Sequence, residues 1–384
     1  MNRRSFLFLL LISLTGAANA AAAEPWRFIM VCDTRSNTAS GINDQVVREL
    51  TGEILRGDVD FVIIAGDLAS GARAGAPRFE TQLWSWVAAM KPIYDAGIPV
   101  YVCRGNHELG DMWDAGPGEP PNSLDNYAKR WLKVFGGSPS RQRLPDNGPA
   151  DERYMSYSVA HRNALIVALD QYAGIEHRIV HSLNQSWLDS LLANNARPHV
   201  FVFGHEPAFR ALHADCLDAH PVQRDAFWHS LRAAGARLYF CGHDHFYDHA
   251  LVNDGDGDPN DDIHQYIVGT GGAPFYSWTP PYDGNNGAFQ VTQVRHAQAY
   301  GYVLVDVDDL KVTVTWMERQ TSTLSQPGVY QPKDAWSYTA AGCQVKLAAD
   351  LNGDCRVDFA DLAILASEWL ASGKSPSPPP DPKK

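Results

Sequence analysis

The stretch "FVIIAGD", residues 61–67, is a run of β-favouring apolar residues closed by glycine and aspartate. A short apolar run bounded by a turn signal reads as a strand buried on both faces. Runs of the same build recur at "FIMVCD" (28–33), "PVYVCRGN" (99–106), "ALIVALD" (164–170), "HVFVFGH" (199–205) and "RLYFCGH" (237–243). Stretches with apolar residues at helical spacing separate several of them: "INDQVVRELTGEILRG" (42–57), "RFETQLWSWVAAMKPIYDAG" (78–97) and "QRDAFWHSLRAAG" (223–235). Strands alternating with helices predict an α/β core with much parallel pairing. Beyond residue 264, "HQYIVGT" (264–270), "GYVLVDV" (301–307) and "KVTVTWM" (311–317) follow one another without helices, which predicts an antiparallel second half. Residues 109–150, rich in Gly, Pro, Asn and Asp, read as a long insertion loop.

Five of these runs end in side chains able to bind a metal: Asp33, Asp67, Asn106 followed by His107, His205, and His243 with His245. One polar residue at a strand end is a turn former, but five ends carrying only Asp, Asn and His call for a shared site. Ligand sites of open α/β sheets lie at the carboxyl ends of the strands, so these residues should converge although over 200 positions separate the first from the last. Two divalent ions about 3.5–4 Å apart can clamp a phosphate, bridge a hydroxide nucleophile and stabilise both oxygens of an in-line displacement. A carboxylate can bridge two cations, and His and Asn complete an N/O shell suited to Mn, Fe or Zn.

"AGD" (65–67), "GNHE" (105–108), "GHEP" (204–207) and "GHDH" (242–245), in this order, resemble the motifs of the calcineurin-like metallophosphoesterases, which include purple acid phosphatases and many exported phosphatases. The resemblance covers roughly residues 26–318 and implies a β-sandwich flanked by helices in four layers, αββα. It implies Asp67 as the carboxylate bridging two metals, with Asn106, His205 and His243 on one and Asp33 and His245 on the other. His107 would stabilise the transition state or protonate the leaving oxygen, and Glu108 would orient a histidine. "VGTGGAP" (268–274) resembles the Gly-rich strand exit of exported members. Ser70 stands where purple acid phosphatases have a metal-bound tyrosine, so a purple iron centre is not implied.

Arg35 departs from the pattern, for the family usually has a metal-binding histidine there, and a guanidinium has no lone pair to donate. Three readings follow. The Asp33 metal binds weakly and Arg35 points its fork at the substrate phosphate; another residue such as Asn37 or Asp248 supplies the ligand; or that metal is absent and the protein binds phosphate without hydrolysing it.

The first 20 residues, "MNRRSFLFLLLISLTGAANA", carry two arginines, an apolar run too short to span a bilayer and a small-x-small end. That is a signal peptide, taken as residues 1–23, with Arg3 and Arg4 leaving twin-arginine export open. The rest has no transmembrane segment, so the mature chain is expected to be exported. The formal charge of −12 argues against a sequence-independent grip on nucleic acid. Cys32, Cys103 and Cys241 lie in apolar runs as free thiols, whereas Cys343 and Cys355 bracket a polar segment where a bridge is plausible. Acids at 254, 256, 258, 261 and 262 form a solvated loop, or else wrap a calcium.

Residues 24–340 form the catalytic domain, 341–372 a separate unit and 373–384 a Pro-rich tail. "DLNGDCRVDFAD" (350–361) has oxygen side chains at loop positions 1, 3, 5, 9 and 12: Asp350, Asn352, Asp354, Asp358 and Asp361. That is the spacing of an EF-hand-like calcium loop, and a helix with Leu362, Leu365, Ala366, Trp369 and Leu370 on one face should follow. The unit resembles half of a type I dockerin, which implies a cohesin-like receptor; a dockerin has two such repeats, and the expected sixth-position glycine is Cys355. The expected function is hydrolysis of phosphomonoesters by an exported dinuclear enzyme. A phosphodiesterase, or a non-catalytic phosphate-binding relative attached through its C-terminal unit, is the alternative.

Overall fold

The computed structural model describes residues 24–71, 76–109, 122–137, 141–172, 180–279, 282, 287–321, 323–341, 349, 351, 357 and 359–371. Residues 1–23, expected to be a signal peptide, the Pro-rich tail, Cys343, Cys355 and four residues of the expected calcium loop, Asp350, Asn352, Asp354 and Asp358, lie outside them.

Two mixed sheets carry the chain. In the first, β1 (Trp26–Val31), β2 (Phe61–Ile64) and β3 (Val100–Val102) run parallel. On the other edge of β1 the antiparallel strands β11 (Gly301–Asp308), β12 (Lys311–Arg319) and β13 (Tyr330–Thr339) follow in order. The second holds β5 (Ala164–Ala168), β6 (His199–Phe203), β7 (Leu238–Cys241) and β9 (Ile263–Val268) in parallel. Antiparallel β4 (Tyr157–His161) closes one edge, and β8 (Tyr247–Asn253) with β10 (Gln290–Ala297) closes the other.

The sheets meet through rings: Phe28 stacks on Phe61 at 4.8 Å and meets Phe201 edge-on at 5.1 Å, while Tyr247 stacks on Trp316 at 4.1 Å. Alternation along β6 and β7 then divides two cores. Phe201, Phe203 and Phe240 belong to the core between the sheets, whereas Val200, Val202 and Tyr239 join Leu188 and Leu192 of α5 (Gln185–Ala193) and Phe227, Trp228 and Leu231 of α6 (Pro221–Ala233). Burial on both faces is why these strands read as unbroken apolar runs. Helix α1 (Asp44–Arg56) buries Val46, Val47, Leu50 and Ile54, and the Asn43 side chain caps it by accepting from the Val46 N–H. Beside it, α2 (Ala76–Ala89) buries Phe79, Leu83 and Trp86 and leads into the short α3 (Lys91–Asp95).

The 109–150 loop reading needs correction, because α4 (Asn122–Phe135) lies within it. Tyr127, Trp131, Val134 and Phe135 are buried at helical spacing, Tyr127 stacks on Phe79 at 4.7 Å, and Trp131 Nε1 donates to Tyr154 O. Gly and Pro on both flanks dominated the composition and hid that stripe. The helix expected at the C-terminus is α7 (Phe359–Ala371). The acids at 254, 256 and 261 surround the Arg232 guanidinium, so a cation already sits among them.

A polar chain also crosses between the sheets. Asp334 of β13 accepts from Tyr247 Oη and pairs with His249 Nδ1, both at 2.7 Å, and His249 Nε2 lies 2.7 Å from His264 Nδ1. Burial, then the neighbouring His249 and Arg237 charges, push His264 down to about 2. Below about pH 6.5 the unfolded chain takes up a proton that folded His264 refuses, so stability falls as pH drops, by up to about 1.4 kcal/mol per unit. Melting temperatures from pH 7 to 5 should show this fall, and His264→Gln should flatten it; an unchanged slope would assign the effect to other groups.

Candidate metal centre

The site is built at the carboxyl ends of strands from both sheets. Asp33, Asp67 and His243 follow β1, β2 and β7 and adopt left-handed φ values of 58°, 49° and 70°. Such conformations are strained in non-glycine residues and gather at functional sites. Glycine precedes Asp67, Asn106, His205 and His243. A Cβ on Gly105 would fall 2.2 Å from Asp67 Oδ1, and one on Gly242 would fall 2.3 Å from Asp33 Oδ2, so only glycine lets these turns approach one another.

Asn106 Oδ1 lies 3.1 Å from His205 Nε2 and 3.2 Å from His243 Nδ1, and Asp67 Oδ1 lies 3.4 Å from His205 Nε2. His205 Nδ1 lies 2.9 Å from Ala65 O; donating there leaves the Nε2 lone pair directed at the cluster. These four side chains make one N/O donor set. On the other side of Asp67, Asp33 Oδ1 lies 3.4 Å from His245 Nε2, and His245 Nδ1 lies 2.7 Å from Pro274 O. Asp33, Asp67 and His245 bring ligand atoms within 4.8 Å of one another. Asp33 Oδ1 is buried without a hydrogen-bond partner among the described residues. Burial opposes the charge on His243, but Asp215, Asp244 and Glu206 drive it up to about 9. Cys32 lies 3.5 Å from His205 Nδ1, but its thiol donates to Ala65 O and burial pushes its pKa up, so it remains a thiol. The free, buried states expected of Cys32, Cys103 and Cys241 are observed.

Glu108 accepts from the backbone amides of Gly105 (2.7 Å), Asp67 (2.9 Å), Leu68 (3.0 Å) and Ala69 (3.4 Å). It therefore ties the Asp67 turn to the Asn106 turn and orients no histidine. His107 Nδ1 sits 2.6 Å from Ser70 O, and its Nε2 faces Asp67 Oδ2 at 3.9 Å. Burial lowers its pKa against the pull of Asp67. Just before the Asn106 turn, the buried pair of Arg104 and Asp170 closes through two hydrogen bonds of 2.9 and 2.6 Å.

Arg35 occupies the space among the remaining donors. Its Nε donates to Asp67 Oδ2 at 3.0 Å, and its Nη2 reaches His245 Nε2 at 3.2 Å and Tyr276 Oη at 3.5 Å. Tyr276 stacks on His245 at 4.0 Å. Of the two expected substitute ligands, Asn37 is exposed, and the Asp248 carboxylate is held by Tyr282 at 2.6 Å and by Gln293. Arg35 thus already engages two of the three groups, Asp67 and His245, that would hold a second ion with Asp33, and it brings a positive charge of its own to that place. Four neighbours escaped the sequence reading: His213, which pairs with Asp244, Asp215, 3.6 Å from His243 Nε2, Tyr276, and Asp170. Asp170 ends an apolar run and was open to notice; the others lie in coil without a periodic signal.

Comparison with known proteins adds one family match and three structural likenesses. The calcineurin-like phosphoesterase family model matches residues 41–247, more than half of the chain. None of the curated proteins matches. Among solved structures, a purple acid phosphatase, PPD1, from yellow lupin (Lupinus luteus) seeds is 16% identical over 83% of this chain and 54% of its own, with a TM-score of 0.57. PhoD is 12% identical over 84% of this chain and 71% of its own, with a TM-score of 0.56. GAP50, the anchor in the inner membrane complex of Plasmodium, is 12% identical over 89% and 94%, with a TM-score of 0.51. This chain spans about half the length of the lupin protein. At such identities the likeness is one of fold.

Proposed function

The chain belongs to the calcineurin-like phosphoesterase family, the metal-dependent phosphoester hydrolases, and we propose that it hydrolyses phosphomonoesters at Asp67, Asn106, His205 and His243. The convergence of these four donors from strand ends of both sheets is the observation that supports it. A divalent ion held there would supply Lewis acidity at the phosphoryl group. His107, tied to Ser70 O through Nδ1, keeps Nε2 for the reacting group. A phosphate dianion beside it favours the protonated ring, which can then donate to the leaving oxygen.

Export, read from residues 1–23, and the calcium loop of 350–361 with a cohesin-like receptor belong to the same proposal. In support of the loop, buried Asp361 accepts from the Leu351 N–H at 2.6 Å across it. A second reading, phosphate binding without hydrolysis, is favoured by one observation, the Arg35 ion pair with Asp67. Hydrolysis of aryl phosphomonoesters and diesters, after chelation and again with manganese, zinc or iron restored, separates these readings. Monoesterase activity should fall at least about a hundredfold on chelation and return with metal. Preference for the diester would make it a phosphodiesterase, and no turnover of either ester with any metal would favour the binding protein.

A further inference from the structure

Resting on the reading of this cluster as a phosphoesterase centre, we propose that the chain carries a single metal there and that the Arg35 guanidinium stands permanently in place of the second. Donor supply is the first reason. Asp67, Asn106, His205 and His243 offer a four-membered N/O set, whereas Asp33, Asp67 and His245 are three, one of them shared. The residue two places after Asp33 adds a positive charge where a lone pair would be needed.

The guanidinium is also fixed in place. Arg35 is buried, its backbone N–H donates to Asp67 O, and its backbone bridges to Ile42. With His245 Nδ1 donating to Pro274 O, the ring's lone pair is on Nε2 and is aimed at Arg35 Nη2. Asp67 Oδ2 accepts from Arg35 Nε. Two of the three donors that would grip a second ion, Asp67 and His245, are therefore already accepting from a cation. Nη1 hydrogen-bonds to none of the described residues, so its N–H groups remain for a phosphate oxygen of the substrate. Arg35 in this arrangement substitutes for the second cation in both of its tasks, balancing the Asp67 carboxylate and binding the phosphate.

Metal counting tests this without reference to turnover. The full chain, stripped and reconstituted with manganese in a modest excess of calcium to fill the C-terminal loop, should hold one manganese per chain by elemental analysis. Its EPR spectrum should be that of an isolated ion. Arg35→His should hold two, with the exchange-coupled spectrum of a close pair, while Arg35→Lys should stay at one. Two coupled ions in the unsubstituted chain would overturn the single-metal assignment and leave the phosphoesterase reading standing. No manganese bound and no hydrolysis would overturn both. The count in the unsubstituted chain decides the point even if Arg35→His fails to fold.

Discussion

Replacing Asp67 with asparagine should lower kcat/KM for an aryl phosphomonoester about a thousandfold or more. Asp67 is where the two donor groups meet: Oδ1 accepts from the His107 backbone N–H and faces His205, while Oδ2 takes the Arg35 guanidinium. Asparagine keeps the shape but removes the charge, so any cation in the neighbouring set loses its only anionic ligand and Arg35 loses its counter-ion. Removing a single preorganised electrostatic contact from an active site costs about 10²–10³ in rate, and here two are lost together. Metal content, kcat/KM and circular dichroism on the same preparation check the result. A folded Asp67→Asn chain with more than a tenth of the activity would remove Asp67 from the catalytic set.

Glu108→Gln should be the most damaging substitution that touches no metal donor. The glutamine amide has one acceptor oxygen where the carboxylate has two, so one pair of backbone N–H groups, Asp67 with Gly105 or Leu68 with Ala69, is left facing an NH₂. At about 1–3 kcal/mol for each buried donor left unsatisfied, the cost is about 2–6 kcal/mol. A domain is stable by only about 5–15 kcal/mol. Burial pushes the Glu108 carboxyl up, and the amides of Gly105, Ala69 and Asp67 oppose it; an acceptor of four N–H groups has no room for its own proton. Urea unfolding measures the loss directly. Glu108→Asp, a methylene short of one turn, should fare little better, and a cost under 1 kcal/mol in both would mean that the amides find other partners.

Much of this was open to reading because the strands are buried on both faces and stop at polar residues. β2 and β7 announce themselves as "FVII" and "LYFC", and the next residues of chemical consequence, Asp67 and His243, are site residues. The glycine before each was equally plain, but its reason, a neighbouring turn packed so close that a Cβ would lie within 3 Å of its atoms, exists only in three dimensions. Helix α4 was missed because its stripe of Tyr127, Trp131, Val134 and Phe135 is embedded in loop-like composition. Asp215 and Tyr276 were out of reach for a different cause: each approaches a site histidine from coil, and coil positions carry no period. Arg35 was visible as an anomaly, yet its direction was not, since both a free phosphate and the Asp67 carboxylate are fitting partners for a guanidinium.

The complete donor set draws Asp67 and Asn106 from one sheet and His205 and His243 from the other, so neither sheet alone can be metallated. Assembly of the sandwich must come before metal capture, and the compartment in which the two halves dock decides which ion is caught. A chain threaded unfolded through a membrane would take the ion most available outside the cell. A chain exported already folded would carry out whatever the cytoplasm had offered. If the chain is exported as proposed, the identity of the metal in protein isolated from its natural source would record the route of that export.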